Sequence, residues 1–167
     1  ISFDFQLTSI NDIQVEDSIT WVLFQDGQDN GIMKFIFDEG WQYRDSYRNF
    51  PEQITQINCF LVLDSLIVLG TNDGVYSSFM EDNLKNPSSW EKSIQDLNES
   101  ISSIDKTVDG LIFTTDNGLY KYLKFSNQLH QINLQISIDN AQNIFASGNE
   151  YWFSSNETIY VYEIENE

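Results

Sequence analysis

Four segments of this chain line up on one another, and that repeat constrains the fold more than any other feature. They are WVLFQDGQDNGIMKFIF from Trp21, LIVLGTNDGVYSSF from Leu66, LIFTTDNGLYKYLKF from Leu111 and YWFSSNETIYVYEI from Tyr151. Each joins an apolar run to a second run rich in aromatic or β-branched residues through a polar turn. Aligned on the turn, the anchors are Gly31, Gly74, Gly118 and, with the glycine replaced, Thr158, at spacings of 43, 44 and 40 residues. Two positions past each anchor stand Met33, Tyr76, Tyr120 and Tyr160. An Ile-x-x-Ile pair precedes three of the units, as Ile10/Ile13, Ile54/Ile57 and Ile101/Ile104, with a looser version around Ile136 and Ile138 in the fourth.

A period of 40 to 45 residues with several short strands per unit predicts an all-β chain built as a β-propeller. Each blade is read as a four-stranded antiparallel sheet whose innermost strand carries the isoleucine pair. In the third unit the strands fall on SISSID, GLIFTT, GLYKYLKF and LHQINL. The third strand is apolar on both sides, as expected of sheets stacked face to face. The blades span about 10–50, 54–97, 100–134 and 136–165 of one propeller region covering residues 1–167. Asp82 to Leu97 reads as a long loop or at most a short helix. Four blades make a tight ring, so the expected arrangement is an arc of a larger propeller completed by further blades; a closed four-bladed ring is the alternative.

The units, read as ITQI…LIVLGTNDGVY and ISSI…LIFTTDNGLY, resemble the propeller repeats of two-component regulators. GVYSSF followed by NPSSWEK is also similar to blades of sortilin-type and photosystem-assembly propellers, while the Asp-box of sialidase-like blades is missing. The resemblance implies a sensing or assembly role at an extracellular, cell-surface or periplasmic location.

The turns raise the question of ligands. QDGQDNG brings Asp26, Asp29 and Asn30 together with the carboxylate density of a calcium loop, but its register misses the alternate oxygens and the twelfth-position glutamate of an EF-hand. Gly31, Gly74 and the Asp116-Asn117-Gly118 cluster are read as hairpin punctuation, glycine supplying positive φ and Asn or Asp tolerating it. No catalytic residue is assigned, because nucleophile elbows, His-Glu-x-x-His and Walker loops are lacking. His130 is read as a structural residue on an outer strand and Cys59 as a small core hydrophobe, its segment holding no basic neighbour to activate a thiol. Carboxylates at a channel mouth would come first from Asp64, Glu99 and Asp109-Gly110. Trp21, Tyr151, Trp152, Trp41 and Trp90 are read chiefly as core, with top-face aromatics as the alternative for sugar or peptide binding. Asn98-Glu99-Ser100 and Asn156-Glu157-Thr158 are sequons that matter only in a eukaryotic secretory setting.

Charge narrows the partners. Twenty-six acidic residues against eight basic ones give a net charge of −18, a field that repels nucleic acid and anionic lipid. No apolar run is long enough to span a bilayer, so membrane insertion is not expected. With a single cysteine no internal disulfide can form. A chain that starts at Ile1 is expected to be a processed protein or a piece of a longer one. The leading functional expectation is a non-enzymatic interaction or ligand-sensing module whose partner is another protein or further blades of the same propeller, with carbohydrate as a further candidate. The competing expectation is a propeller-type lyase or hydrolase acting on polysaccharide or a small molecule.

Overall fold

A computed structural model of the chain describes residues 7–27, 29–134 and 141–164. Over the described residues it is all-β, with fifteen strands in four antiparallel sheets, each a meander. Sheet A holds β1 (Ser9–Glu16), β2 (Ile19–Asp26), β3 (Asp29–Phe37) and β4 (Trp41–Tyr47). Sheet B holds β5 (Ile57–Leu63), β6 (Leu66–Thr71), β7 (Gly74–Phe79) and the short β8 (Glu91–Lys92). Sheet C holds β9 (Ile101–Lys106), β10 (Gly110–Thr115), β11 (Gly118–Leu123) and β12 (Gln128–Gln131). Sheet D holds β13 (Ala141–Ser147), β14 (Glu150–Ser155) and β15 (Thr158–Glu163). The predicted isoleucine pair near Ile136 and Ile138 lies outside the described residues. Between β7 and β8 the chain makes a 3-10 turn at Pro87–Ser89, with the Asn86 side chain accepting from the Ser88 amide at 3.2 Å.

The sheets stack as propeller blades do. The first strands β1, β5, β9 and β13 stand next to one another around a common cavity. Three apolar layers fill the spaces between successive sheets. Trp21, Leu23 and Ile32 of sheet A meet Ile57, Phe60, Ile67 and Leu69 of sheet B. Leu61, Val68 and Val75 of sheet B meet Ile101, Ile104, Leu111 and Phe113 of sheet C. Ile112 and Leu119 of sheet C meet Ile144, Tyr151 and Phe153 of sheet D. A second strand such as β6 or β10 is therefore buried on both faces, which is why LIVLGT and GLIFTT are apolar without alternation. Each such fully buried side chain contributes about 1.5–3 kcal/mol of transfer free energy.

The aromatic residues divide between the layers and the surface. Trp21 and Tyr151 are core, and so is Trp90, whose indole N–H donates to the Leu84 carbonyl at 3.2 Å. Trp90 also packs edge-on against Phe50 with centroids 5.2 Å apart. Trp41 and Trp152, read from sequence chiefly as core, are 48% and 41% exposed. Both lie on outward faces of the first and last sheets, where no further sheet covers them.

One anchor of the repeat moves. The β2–β3 hairpin closes at Asp26 opposite Asp29, so Asp29 occupies the place held by Gly74, Gly118 and Thr158 in the other sheets. Gly31, expected in the turn, lies inside β3 opposite Phe24. There it matches Tyr76, Tyr120 and Tyr160, and the Phe24 ring fills the space a side chain would need: a Cβ at Gly31 would come 2.5 Å from Phe24 Cζ. The positive φ of this hairpin is supplied by Gly27 at +63°. Matching glycines by identity shifts the first unit by two residues because this glycine serves close approach, not turning.

Candidate functional site

In an antiparallel meander the turns alternate between two ends. The β2–β3, β6–β7, β10–β11 and β14–β15 turns share one end with the connections between sheets. The β1–β2, β5–β6, β9–β10 and β13–β14 turns share the other.

The first end is a rim of locked loops. Thr71-Asn72-Asp73-Gly74 closes β6–β7, with Gly74 at φ +96° directly after the turn and Thr71 Oγ1 bonding both the Asp73 amide and the Gly74 carbonyl. The Asn72 side chain then ties this turn to the connection leading into β5. Its Oδ1 accepts from the Thr55 and Gln56 amides, each at 2.9 Å, and its Nδ2 donates to the Gln53 carbonyl at 3.2 Å. Asp73 continues the network. It accepts from the Tyr76 hydroxyl at 2.7 Å and from Lys92 Nζ at 3.1 Å, and Lys92 also reaches Asn98 Oδ1 at 2.6 Å. Burial opposes the charge on Asp73, but the Tyr76 and Lys92 hydrogen bonds outweigh it and hold the carboxyl below its usual range. Burial first, then the Asp73 carboxylate, pushes the Tyr76 phenol up to about 12. In sheet C the equivalent Asp116-Asn117-Gly118 turn is closed by Thr115 Oγ1 on the Asn117 amide, with Gly118 at φ +133°. The fourth turn reaches the same place differently. Its left-handed residue is Asn156 at φ +53°, so Thr158 can replace glycine.

The calcium candidates sit on this rim with other engagements. Asp26 pairs with Arg48, and Asn30 accepts from the Ile57 amide at 3.3 Å, stapling sheet A to sheet B. Asp29 pairs with Asp26 across the hairpin as the first residue of β3. No group of three or more His, Cys, Asp or Glu side chains able to hold a metal occurs among the described residues.

Behind the rim lies the shared cavity, about 500 Å³, between the four first strands. Its wall is polar: Asn11 and Asp12 of β1, Asn58 of β5, Ser103 and Asp105 of β9 and Asn143 of β13. These side chains also join neighbouring first strands, which form no backbone ladder with one another. Asn58 Nδ2 donates to the Ile101 carbonyl at 2.8 Å, while Ser103 Oγ and Asp105 Oδ2 accept from the Ile144 and Ala146 amides at 3.0 and 2.8 Å. Cys59, also on this wall, turns its sulfur against Gly70, where an added Cβ would sit 2.4 Å from it. Burial, then the nearby Asp12 charge, pushes its thiol pKa well up, away from the thiolate.

The carboxylates singled out for a channel mouth are split between the two ends. Glu99 belongs to the rim, where the Tyr120 hydroxyl approaches it at 3.5 Å. Asp64 and Asp109 belong to the opposite end. Asp64 is the positive-φ residue of the β5–β6 turn, at +44°. Asp109 borders a groove of about 510 Å³ between sheets C and D. It accepts from Lys121 at 2.9 Å and from Thr107 Oγ1 at 2.9 Å. The Lys121 hydrogen bond is the main reason its carboxyl is held low. Burial works against the Lys121 charge, yet Asp109 and Tyr151 raise its pKa. Tyr151 is raised in turn, chiefly by burial. His130 stands on β12, paired with Lys121 and exposed.

No protein-family model and no curated protein sequence matches this chain. Solved structures do. The computationally designed Ika4 protein is 12% identical with a TM-score of 0.65, over 98% of this chain and 96% of its own. The designed Ika8 protein is 13% identical with a TM-score of 0.63, and the AfRom2 CNH domain 8% identical with a TM-score of 0.64. A further match, at 11% identity and a TM-score of 0.58, is PorZ of Porphyromonas gingivalis, described as an essential bacterial surface component of the type-IX secretion system. This chain spans 48% of the Ika8 chain, 52% of the CNH chain and 21% of PorZ. At such identities the likeness is one of fold. It places the chain with propeller-like β domains and distinguishes no single family among them.

The rim network was only partly visible in sequence. The Asn-Asp-Gly turn is plain, but Lys92, inside the segment read as loop, and Asn98, just past it, lie 19 and 25 residues from Asp73. The signal that could have found them is the sheet geometry, which brings every inter-sheet connection to the end bearing the second hairpin turn.

Proposed function

We propose that this chain is a non-enzymatic interaction module that displays the rim loops to another protein. The observation that carries the reading is the fixation of those loops. Asn72 clamps the Gln53–Gln56 connection, and Asp73, Tyr76, Lys92 and Asn98 form one network, so the rim is ordered before any partner arrives. A preordered surface loses little conformational entropy on binding. Its amides, hydroxyls and carboxylates suit a polar or basic protein segment, and the net charge of −18 would steer such a segment inward. Placement outside the cell or at its surface belongs to the same reading, supported by the fold likeness to a surface component of a secretion system.

The experiment is a selection of peptides from a displayed random library on the folded chain, followed by amide exchange with and without the winning peptide. Protection centred on Gln53–Gln56, Asn72–Gly74 and Asn98–Ser100 is the expected footprint, and Asn72→Ala should weaken binding. Protection confined to the opposite end, at Asp17, Asp64 and Asp109, would sink the proposal.

A further inference from the structure

The sequence holds two Asn-Gly steps, Asn30-Gly31 and Asn117-Gly118, and the fold puts them in opposite situations. In such a step no Cβ shields the glycine amide, so its nitrogen can attack the asparagine side-chain carbon wherever the backbone between them is free to turn. At Asn30-Gly31 it is not. Both residues are paired within β3, Asn30 to Gln25 and Gly31 to Phe24. Asn30 Oδ1 is engaged by the Ile57 amide at 3.3 Å. Two Phe24 ring atoms and the Tyr47 carbonyl oxygen stand 2.5 to 2.9 Å from where a Gly31 Cβ would sit. At Asn117-Gly118 these restraints are missing. Asn117 is exposed in the β10–β11 turn, and its side chain hydrogen-bonds to none of the described residues. The nearest atom to a Gly118 Cβ would be Gln131 Nε2 at 3.4 Å, the far end of an exposed side chain. Two side chains hold the Asn117 backbone: Thr115 Oγ1 accepts from its amide at 3.0 Å, and Gln131 Nε2 donates to its carbonyl at 3.1 Å. Such a turn opens far more readily than a paired strand beneath a packed ring. The counterpart in sheet B is closed to the same chemistry, since Asn72 is hydrogen-bonded through both side-chain ends and is followed by Asp73, whose Cβ shields the amide.

We propose that Asn117 is a site of spontaneous modification in the folded chain, converting to aspartate and isoaspartate while Asn30 stays intact. The Gly118 backbone nitrogen attacks Asn117 Cγ, a C–N bond forms, and the side-chain amide leaves as ammonia with the proton that the Gly118 nitrogen gives up. The product is a five-membered succinimide ring. Water then opens the ring at either carbonyl. Opening at the former side-chain carbonyl leaves aspartate. Opening at the Asn117 backbone carbonyl leaves isoaspartate, in which the chain runs through Cγ and is one methylene longer. In that product the carbonyl that accepted from Gln131 becomes a free carboxylate. Either product adds a negative charge to the rim beside Asp116, and only the second changes the course of the backbone between β10 and β11.

The test is a time course of the whole folded chain at mildly alkaline pH, which favours loss of the amide proton, with a parallel sample in urea. Each is digested and mapped by mass spectrometry. The tryptic peptide Thr107–Lys121 holds no asparagine or glutamine besides Asn117, so the mass gain of an amide becoming an acid reports that residue alone. Fragmentation of the peptide containing Asn30 locates any gain there. In urea both asparagines should convert at comparable rates. In the folded chain Asn117 should keep within about 10-fold of its rate in urea, while Asn30 slows by about 100-fold or more, because it reacts only when β3 opens. Synthetic peptides carrying aspartate or isoaspartate at 117 identify the two products by their retention. Conversion of Asn30 as fast as Asn117 in the folded chain overturns the proposal, and so does an Asn117 that converts only in urea.

Discussion

Gly31→Ala separates the role of this glycine from that of the turn glycines it resembles in sequence. Its backbone is ordinary strand, so alanine brings no φ strain and by itself should stabilise by about 0.4–1 kcal/mol through the unfolded state. Against that stands a collision: the new Cβ would lie 2.5 and 2.7 Å from two ring atoms of Phe24, which is 0% exposed, and 2.9 Å from the Tyr47 carbonyl oxygen. Overpacking of a closed core costs about 1–3 kcal/mol. The ring is held from outside as well, by the Arg48 guanidinium 5.7 Å from its centroid. The net expectation is a loss of about 1–2 kcal/mol, read from urea unfolding as a lower midpoint at unchanged slope. Phe24→Leu removes the colliding ring atoms, so Gly31→Ala should cost about 1 kcal/mol less in that background, a coupling typical of residues in contact. If Gly31→Ala is neutral or stabilising, or costs the same in the Phe24→Leu background as in the parent chain, the assignment of Gly31 to close approach is refuted.

Other expectations follow from the same geometry. Asp73 has a lowered folded pKa, so its contribution is present above the unfolded carboxyl pKa and is lost as pH falls through the folded value. The stability difference between the parent chain and Asp73→Asn should therefore be flat at neutral pH and vanish on acidification, which unfolding curves across the acid range would show. Asp105→Ala removes the acceptor for the Ala146 amide between β9 and β13, and a hydrogen bond to a charged group is worth about 1.5–3 kcal/mol, measurable by urea titration. The Cys59 thiol, pushed up by burial, should react slowly with a disulfide reagent at mildly alkaline pH and rapidly once denaturant is added. Fast labelling of the folded chain would contradict its placement against Gly70.

Much of the fold was legible because blades repeat. A two-residue turn between two apolar runs is a local event, and four copies in register carry the architecture. The strands read from the third unit, SISSID through LHQINL, match β9 to β12 closely. What stayed hidden depended on neighbours in space. Trp152 and Trp90 are alike as sequence features, yet one is exposed and the other buried, because only one has a sheet in front of it. Gly31 looks like Gly74 in sequence, and only the pairing of Asp26 with Asp29 shows that it lies two residues inside the strand. The rim network was concealed by distance along the chain, since Lys92 reaches Asp73 through the β7–β8 pairing and not through a local motif.

Hydroxyl-radical footprinting of the four tryptophans tests the open stack most directly. Trp41 and Trp152 should be oxidised while Trp21 and Trp90, at 0% and 4% exposure, stay protected. Protection of Trp152 to the level of Trp21 would mean that the outward side of sheet D is covered, and the account of an open stack would be wrong.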